Sequence, residues 1–215
     1  MRVTLDHPWL ELDLGAEARV LSWSLTRPGF VTARRILWRE VRNADLPEDL
    51  DVLGWFHGEL AARGARDAVA MLTSRHLHAF ETAEAEVEGI RAFCLATVGL
   101  SNAEHIGTRM DRTGTDWGTI NIALYLDLPL NDAALLELLS IVTQARTVAV
   151  MEAGFDLPTG RATGTGTDCI AVAAPAGDTP FAGLHTPQGE AAGRAVHAAV
   201  RKGAEIWMRD VRRPD

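Results

Sequence analysis

Apolar and acidic residues alternate along Trp9-Leu10-Glu11-Leu12-Asp13-Leu14, the two-residue period of a strand with one buried face. Strand character continues over Val20 to Leu25 and Phe30 to Val41, on either side of a turn near Arg27-Pro28-Gly29. The period then changes. Leu50, Leu53, Phe56 and Leu60 recur at helical spacing behind Pro47, Glu48 and Asp49, which suit a first helical turn, and the run ends near Gly64. Asp67 to Thr73 is a short apolar run that reads as a strand. Ala79 to Glu86 alternates, Gly89 interrupts, and Ile90 to Val98 resumes, so this pair predicts a hairpin.

Ser101 to Gly107 predicts a turn or short helix, and Arg109 to Trp117 a polar loop. Thr119 to Leu126 reads as a buried strand. Asn131 and Asp132 offer a helix start, and Leu135, Leu138, Leu139, Val142, Ala149 and Val150 continue on one face to a stop at Gly154. A Gly/Thr-rich loop leads into a strand from Ile170 to Ala174. Thr186 is placed to cap a last helix with Ala192, Val196, Ala199, Val200 and Trp207 facing inward. Strands dominate the first half and strand–helix alternation the second. The expected fold is therefore α+β or α/β, a mixed sheet with long helices packed on it. No Ser/Pro-rich linker interrupts it, so residues 1–215 are expected to form one domain. Thr113-Gly114-Thr115-Asp116 recurs as Thr165-Gly166-Thr167-Asp168, an echo too short to indicate duplication.

With 47% hydrophobic and 23% charged residues, the chain can bury a core without disulfides or metals. A net charge of −8 argues against a nucleic-acid footprint. Lys202 is the only lysine, which excludes Schiff-base chemistry elsewhere and a P-loop lysine altogether. Cys94 and Cys169 lack CxxC spacing and read as buried free thiols in a reducing cytoplasm. The acidic N-terminus does not resemble a secretory signal. No apolar segment is expected to reach the roughly 18 residues of a membrane span.

The sharpest chemical feature is Ala162-Thr163-Gly164-Thr165-Gly166-Thr167-Asp168, rich in hydroxyls and free N–H groups. Gly164 and Gly166 would let the backbone take positive φ or lie flat against a ligand. This loop lacks the third glycine of a dinucleotide fingerprint and precedes a strand, not a helix. Gly99-Leu100-Ser101-Asn102-Ala103 follows a strand as a nucleophile elbow does, and Ser101, Asp168 and His185 occur in the order of a hydrolase triad. The bland alternative is that Ser101 and Asn102 hold a turn. His76 and His78 would share one face if they lay on a strand, but no third metal ligand is evident. Asn121, inside an apolar strand, must satisfy a buried amide through backbone or a ligand. Glu152, at an electrostatically unfavourable helix C-terminus, calls for a specific partner, whereas Glu190 suits its helix N-terminus. Trp23, Trp38 and Trp207 are expected in the core.

Taken together, Ser101-Asn102-Ala103, Gly118-Thr119-Ile120-Asn121-Ile122, the Ala162–Asp168 run and His185-Thr186-Pro187-Gln188-Gly189-Glu190 resemble the adenosylcobinamide amidohydrolase family, the CbiZ-type corrinoid salvage enzymes. Their order and spacing fit, with Ala145-Arg146-Thr147 and Glu152 between the second and third. Thr73-Ser74-Arg75-His76 departs from the family pattern, as does the turn at Arg27-Pro28-Gly29. The resemblance implies hydrolysis of the aminopropanol side-arm amide of adenosylcobinamide to adenosylcobyric acid. It implies no resident cofactor, since cobalt enters within the corrinoid, and a small-molecule partner in place of nucleic acid or membrane. Oligomeric state stays open, a homo-oligomer included. On this reading Asp168 or Glu190 activates water and His185 protonates the departing amine. Ser101, Asn102, Thr119, Asn121, Thr163, Gly164, Thr165, Gly166 and Thr167 bind substrate or its oxyanion. Ser101 or Thr167 as nucleophile remains an alternative, as do a serine hydrolase of another amide and a non-catalytic corrinoid-binding protein.

Overall fold

A computed structural model describes residues 1–112 and 117–212. Its strands are β1 (Arg2–Asp6), β2 (Trp9–Ser22), β3 (Gly29–Glu40), β4 (Val69–Thr73), β5 (Phe80–Val87), β6 (Ile90–Val98), β7 (Ala103–Glu104), β8 (Ile120–Leu126), β9 (Asp156–Leu157), β10 (Gly160–Arg161), β11 (Gly164–Thr165) and β12 (Cys169–Ala174). The helices are α1 (Val52–Ala62), α2 (Asp132–Ala153) and α3 (Pro187–Asp210). Eight strands form one mixed sheet in the order β4-β3-β2-β12-β8-β6-β5, with β1 added beside β2. The expected mixed sheet with long helices on it is present, and its class is α+β.

Local chemistry accounts for most boundaries. Asn131 Oδ1 accepts from the Ala134 N–H at 2.9 Å to start α2, and Gly154 ends it in the left-handed region. Thr186 caps α3 by accepting from the Gly189 N–H at 3.0 Å. The hairpin of β5 and β6 turns through Glu88 and Gly89, both at positive φ. Two expectations need correction. The segments expected from Trp9 to Leu14 and from Val20 to Leu25 join in one long strand, β2, which is bent by a register shift between Asp13 and Ala18 and ends at Ser22. The helix expected from Pro47 starts later, at Val52, because the Asp51 side chain caps it at the Gly54 N–H. The Thr113–Asp116 echo, within the loop expected from Arg109 to Trp117, lies outside the described residues.

One face of the sheet carries α2 and α3. The buried stripe of α3 is built from small residues, including Ala192, Ala195, Ala199 and Gly203. A Cβ on Gly203 would stand 2.7 Å from Val98 Cγ2, so glycine lets the helix lie close on β6. By length and composition α2 could cross a membrane, contrary to expectation, but its apolar face packs in the core with α3 and β12. The opposite face forms a second core. It includes Leu12, Ile36, Trp38 and Met71 from β2, β3 and β4 with Leu95, Ala123 and Ala171 from β6, β8 and β12. Asn121 of β8 reaches the Leu72 carbonyl of β4, three strands lying between them in the sheet, so the sheet curls around this face. The curl leaves a cleft where the C-terminal ends of β3 and β4 approach the N-terminal ends of β8 and β12. A third cluster seats Phe56 and Leu60 of α1 against Trp9 and Leu37.

Candidate active site

The Gly/Thr loop enters the site through β11, which pairs with β7 directly after the Ser101–Asn102 turn. Thr163 holds the two segments together. Its hydroxyl donates to the Glu104 carbonyl at 3.1 Å and accepts from the Ile106 N–H at 2.9 Å. Asn102 Nδ2 donates to Thr167 Oγ1 at 3.1 Å, and Thr167 Oγ1 donates to the Gly118 carbonyl at 2.7 Å. Thr119 Oγ1 lies 2.8 Å from the Thr167 carbonyl and 3.0 Å from Asn121 Oδ1. The sequence motifs around Ser101, Asn121 and Thr167 therefore meet in one hydrogen-bonded knot. Asn121 spends its amide on protein: Nδ2 donates to the Leu72 carbonyl at 2.7 Å.

Asp168 is the latch of this knot. Its carboxylate pairs with Arg146 and accepts from the Thr165 hydroxyl, the Thr165 N–H at 3.1 Å and the Ile120 N–H at 3.2 Å. Burial raises its pKa above the usual carboxylate value, against the pull of Arg146 and the Thr165 and Ile120 donors. Only 8% of the side chain is exposed, and four donors occupy it. The carboxylate expected to activate water is therefore committed to holding α2 against the loop. Gly164 is required by the same pair, since a Cβ there would fall 1.7 Å from Arg146 Nη1. Of the two roles expected of Gly164 and Gly166, positive φ or a backbone flat against a ligand, neither glycine uses positive φ. Gly166 has open space around it and faces the cleft.

The cleft has two connected lobes that share Arg42, Ser74, Trp117 and Gly118. The first, about 460 Å³, is walled by Trp23, Leu25, Leu46, Met71 and Trp117, with Thr119, Asn121, Gly166 and Thr167 along its floor. Both volumes fall in the range of small-molecule sites. Trp23, expected in the core, is 47% exposed here, and its indole N–H donates to the Asp168 carbonyl at 2.8 Å. Trp38 and Trp207 are buried as expected. The second lobe, about 670 Å³, is polar and is lined by Arg42, Ser74, Arg75, His76, Ser101 and Asp210. A Cβ on Gly118, between the lobes, would stand 2.6 Å from the Ser101 nitrogen, so glycine keeps these two turns in contact.

A buried carboxylate that periodicity did not single out stands behind the polar lobe. Glu40, at the end of β3, is 6% exposed. It accepts from the Leu77 N–H at 2.8 Å, pairs with Arg42, and lies 3.2 Å from His76 Nδ1. Burial pushes its pKa up, but Leu77, Arg42, His76 and His7 together outweigh that and hold it below the ordinary range. A charged residue closing the apolar run Ile36-Leu37-Trp38 was the available signal, because buried charges need partners. His76 and His78 do not share a strand face. His76 precedes a 3₁₀ turn, Leu77–Ala79, and the two rings stack at 5.2 Å. Among the described residues no three His, Cys, Asp or Glu side chains cluster in a way that could hold a metal.

His185 and Glu190 are not brought to this site. After β12 the chain lies beside the start of α2, where the Leu130 N–H donates to the Pro175 carbonyl at 2.9 Å and the Ala182 N–H to Glu137 at 2.7 Å. His185 and Glu190 sit exposed at that far end of the sheet. Glu190 pairs with Arg194 on its own helix. It is the other end of α3, at Trp207 and Asp210, that reaches the cleft, roughly 36 Å away for 24 residues at 1.5 Å each. A triad of Ser101, Asp168 and His185 is therefore not assembled. Glu152 has the partners its position demanded: His197 at 2.9 Å and Arg201 at 2.7 Å.

Comparison with known proteins agrees with the motifs that converge here. A curated adenosylcobinamide amidohydrolase from Halobacterium salinarum is 35% identical over 129 residues, 56% of this chain and 52% of that protein. The chain thus spans about half the length of the curated relative it matches. A solved Pyrococcus horikoshii structure aligns over 91% of this chain and 76% of its own, with a TM-score of 0.41 and 11% identity, a likeness too remote to inform fold or function. The sequence model of the adenosylcobinamide amidohydrolase family matches residues 1–211. With 211 of 215 positions inside that match, this chain belongs to the adenosylcobinamide amidohydrolase (CbiZ) family.

Proposed function

We propose that this chain hydrolyses the amide joining the aminopropanol arm to adenosylcobinamide and releases adenosylcobyric acid. One observation carries the reading: the family's matched residues around Ser101, Asn121 and Thr167 converge on a single cleft. Its two lobes suit a ligand with a broad apolar body and an amide-fringed edge. Trp23, Leu25 and Trp117 offer flat apolar walls to the corrinoid. Thr119, Gly166 and Thr167 present hydroxyl and backbone groups to its side-chain amides, and Ser101 faces the polar lobe, where the scissile arm would lie. Cobalt belongs to the substrate. Water adds to the acyl carbon, the C–N bond breaks, and the amine leaves with a proton. Buried free thiols at Cys94 and Cys169 suit a cytoplasmic setting for this chemistry.

The test is incubation of purified protein with adenosylcobinamide, followed by chromatography of the corrinoid and assay of the free amine. Adenosylcobyric acid and aminopropanol in equal amounts are expected. A corrinoid that binds tightly but is recovered intact would replace this reading with that of a carrier.

A further inference from the structure

We propose that His76, oriented by Glu40, is the general base and general acid of the cleft. This rests on the amide-hydrolysis reading and supplies the proton-moving group that His185, at the far end of the sheet, cannot.

The geometry sets His76 apart from the other histidines. Its ring lines the polar lobe with Ser74 and Ser101, and its side chain is 57% exposed. Its Nδ1 lies 3.2 Å from a carboxylate that is itself 6% exposed. Glu40 cannot swing away, because the Leu77 N–H holds its other oxygen at 2.8 Å. A carboxylate fixed behind an imidazole sets the ring's orientation and stabilises the imidazolium when it forms. Arg42 Nη2 pairs with Glu40 and lies 2.5 Å from the same His76 Nδ1, so the ring edge meets the Arg42–Glu40 pair together, and Arg42 balances the buried charge of Glu40. The other ionisable groups around this pair are His7, 3.7 Å from Glu40, and His78, stacked on His76. Arg75, Asp210 and Arg212 face it across the lobe.

Neutral His76 takes a proton from water as the water oxygen bonds to the amide carbon. The imidazolium then gives that proton to the amide nitrogen as the C–N bond breaks. The products are the acid and the amine, no redox change occurs, and His76 returns to its starting form. Glu40 is a positioning residue, because it acts through the ring.

The experiment follows the pH dependence of turnover of adenosylcobinamide by wild type, His76→Ala, His76→Gln and Glu40→Gln, with corrinoid binding read by absorbance. Both His76 variants are expected to bind corrinoid and to lose kcat on the order of 10²–10⁴-fold. Added imidazole should restore part of the His76→Ala rate but none of a merely structural loss. In Glu40→Gln kcat should fall while KM for the corrinoid stays near that of wild type, since the ring loses its orienting carboxylate but the cleft keeps its walls. If wild type turns over and both His76 variants stay within about threefold of it, the inference fails and the hydrolase reading stands. If wild type binds corrinoid and releases no amine, the hydrolase reading fails and takes this inference with it.

Discussion

Asn121 on β8 donates to the Leu72 carbonyl on β4 at 2.7 Å, although β12, β2 and β3 lie between those strands in the sheet. One side chain thus ties two distant strands beneath the floor of the cleft. Asn121→Ala removes the amide donor to the half-buried Leu72 carbonyl and leaves the Thr119 hydroxyl with the Thr167 carbonyl. A loss of about 1–3 kcal/mol is expected, read from the urea midpoint, with weaker corrinoid binding as the floor relaxes. An unchanged midpoint would mean that the curl is held by apolar packing alone.

The two glycines of the loop should behave oppositely. Gly164→Ala drives a Cβ into Arg146 and Asp168, so a loss of about 1–3 kcal/mol or more is expected. Gly166→Ala meets no atom within 4 Å and should leave the melting temperature nearly unchanged. Its effect should appear instead as a change in corrinoid affinity, because Gly166 lines the apolar lobe.

Asp168→Asn should act through stability. Removing one partner of a buried ion pair costs about 3–5 kcal/mol, and Arg146 is left with no carboxylate. Thermal unfolding should shift strongly downward, and whatever protein stays folded should keep measurable turnover. A variant with wild-type stability and no turnover would return Asp168 to a direct chemical role.

His185→Ala and Glu190→Ala should keep turnover within about threefold, since loss of a catalytic acid or base removes about 10²–10⁴-fold. Both side chains sit exposed at the end of the sheet away from the cleft. Measured amine release checks this directly, and a hundredfold loss in either variant would relocate the chemistry.

Burial pushes the Cys169 thiol up to about 12 and raises the Cys94 thiol as well. A raised thiol pKa keeps the unreactive protonated form across the working range. Alkylation of the native protein should therefore be slow, and should not accelerate between pH 7 and 9 as it does for a free thiol. Both cysteines should react once the protein is unfolded in denaturant.

Local chemistry made the elements legible. The caps at Asn131 and Thr186, the stop at Gly154 and the Glu88-Gly89 hairpin turn depend on contacts within a few residues. The cluster of Ser101, Asn121 and Thr167 was legible only through ordered motifs, since no periodicity joins residues so far apart. Glu40 and His76 were not paired by any pattern. They are 36 positions apart and meet because parallel pairing of β3 with β4 brings the two strand ends together.

The sequence by itself determined where strands and helices form, because hydrogen-bonding caps and side-chain periods act over one or two turns of chain. It also determined the family, through short runs in a fixed order. Tertiary structure alone decided what each polar residue does. Strand order and the curl of the sheet set which carboxylate is walled in by donors, as Asp168 is, and which stands behind an open imidazole, as Glu40 does. The direction of α3 likewise set which of its ends meets the cleft: running back along the sheet, it leaves Glu190 and the preceding His185 at the far end and brings Trp207 and Asp210 in.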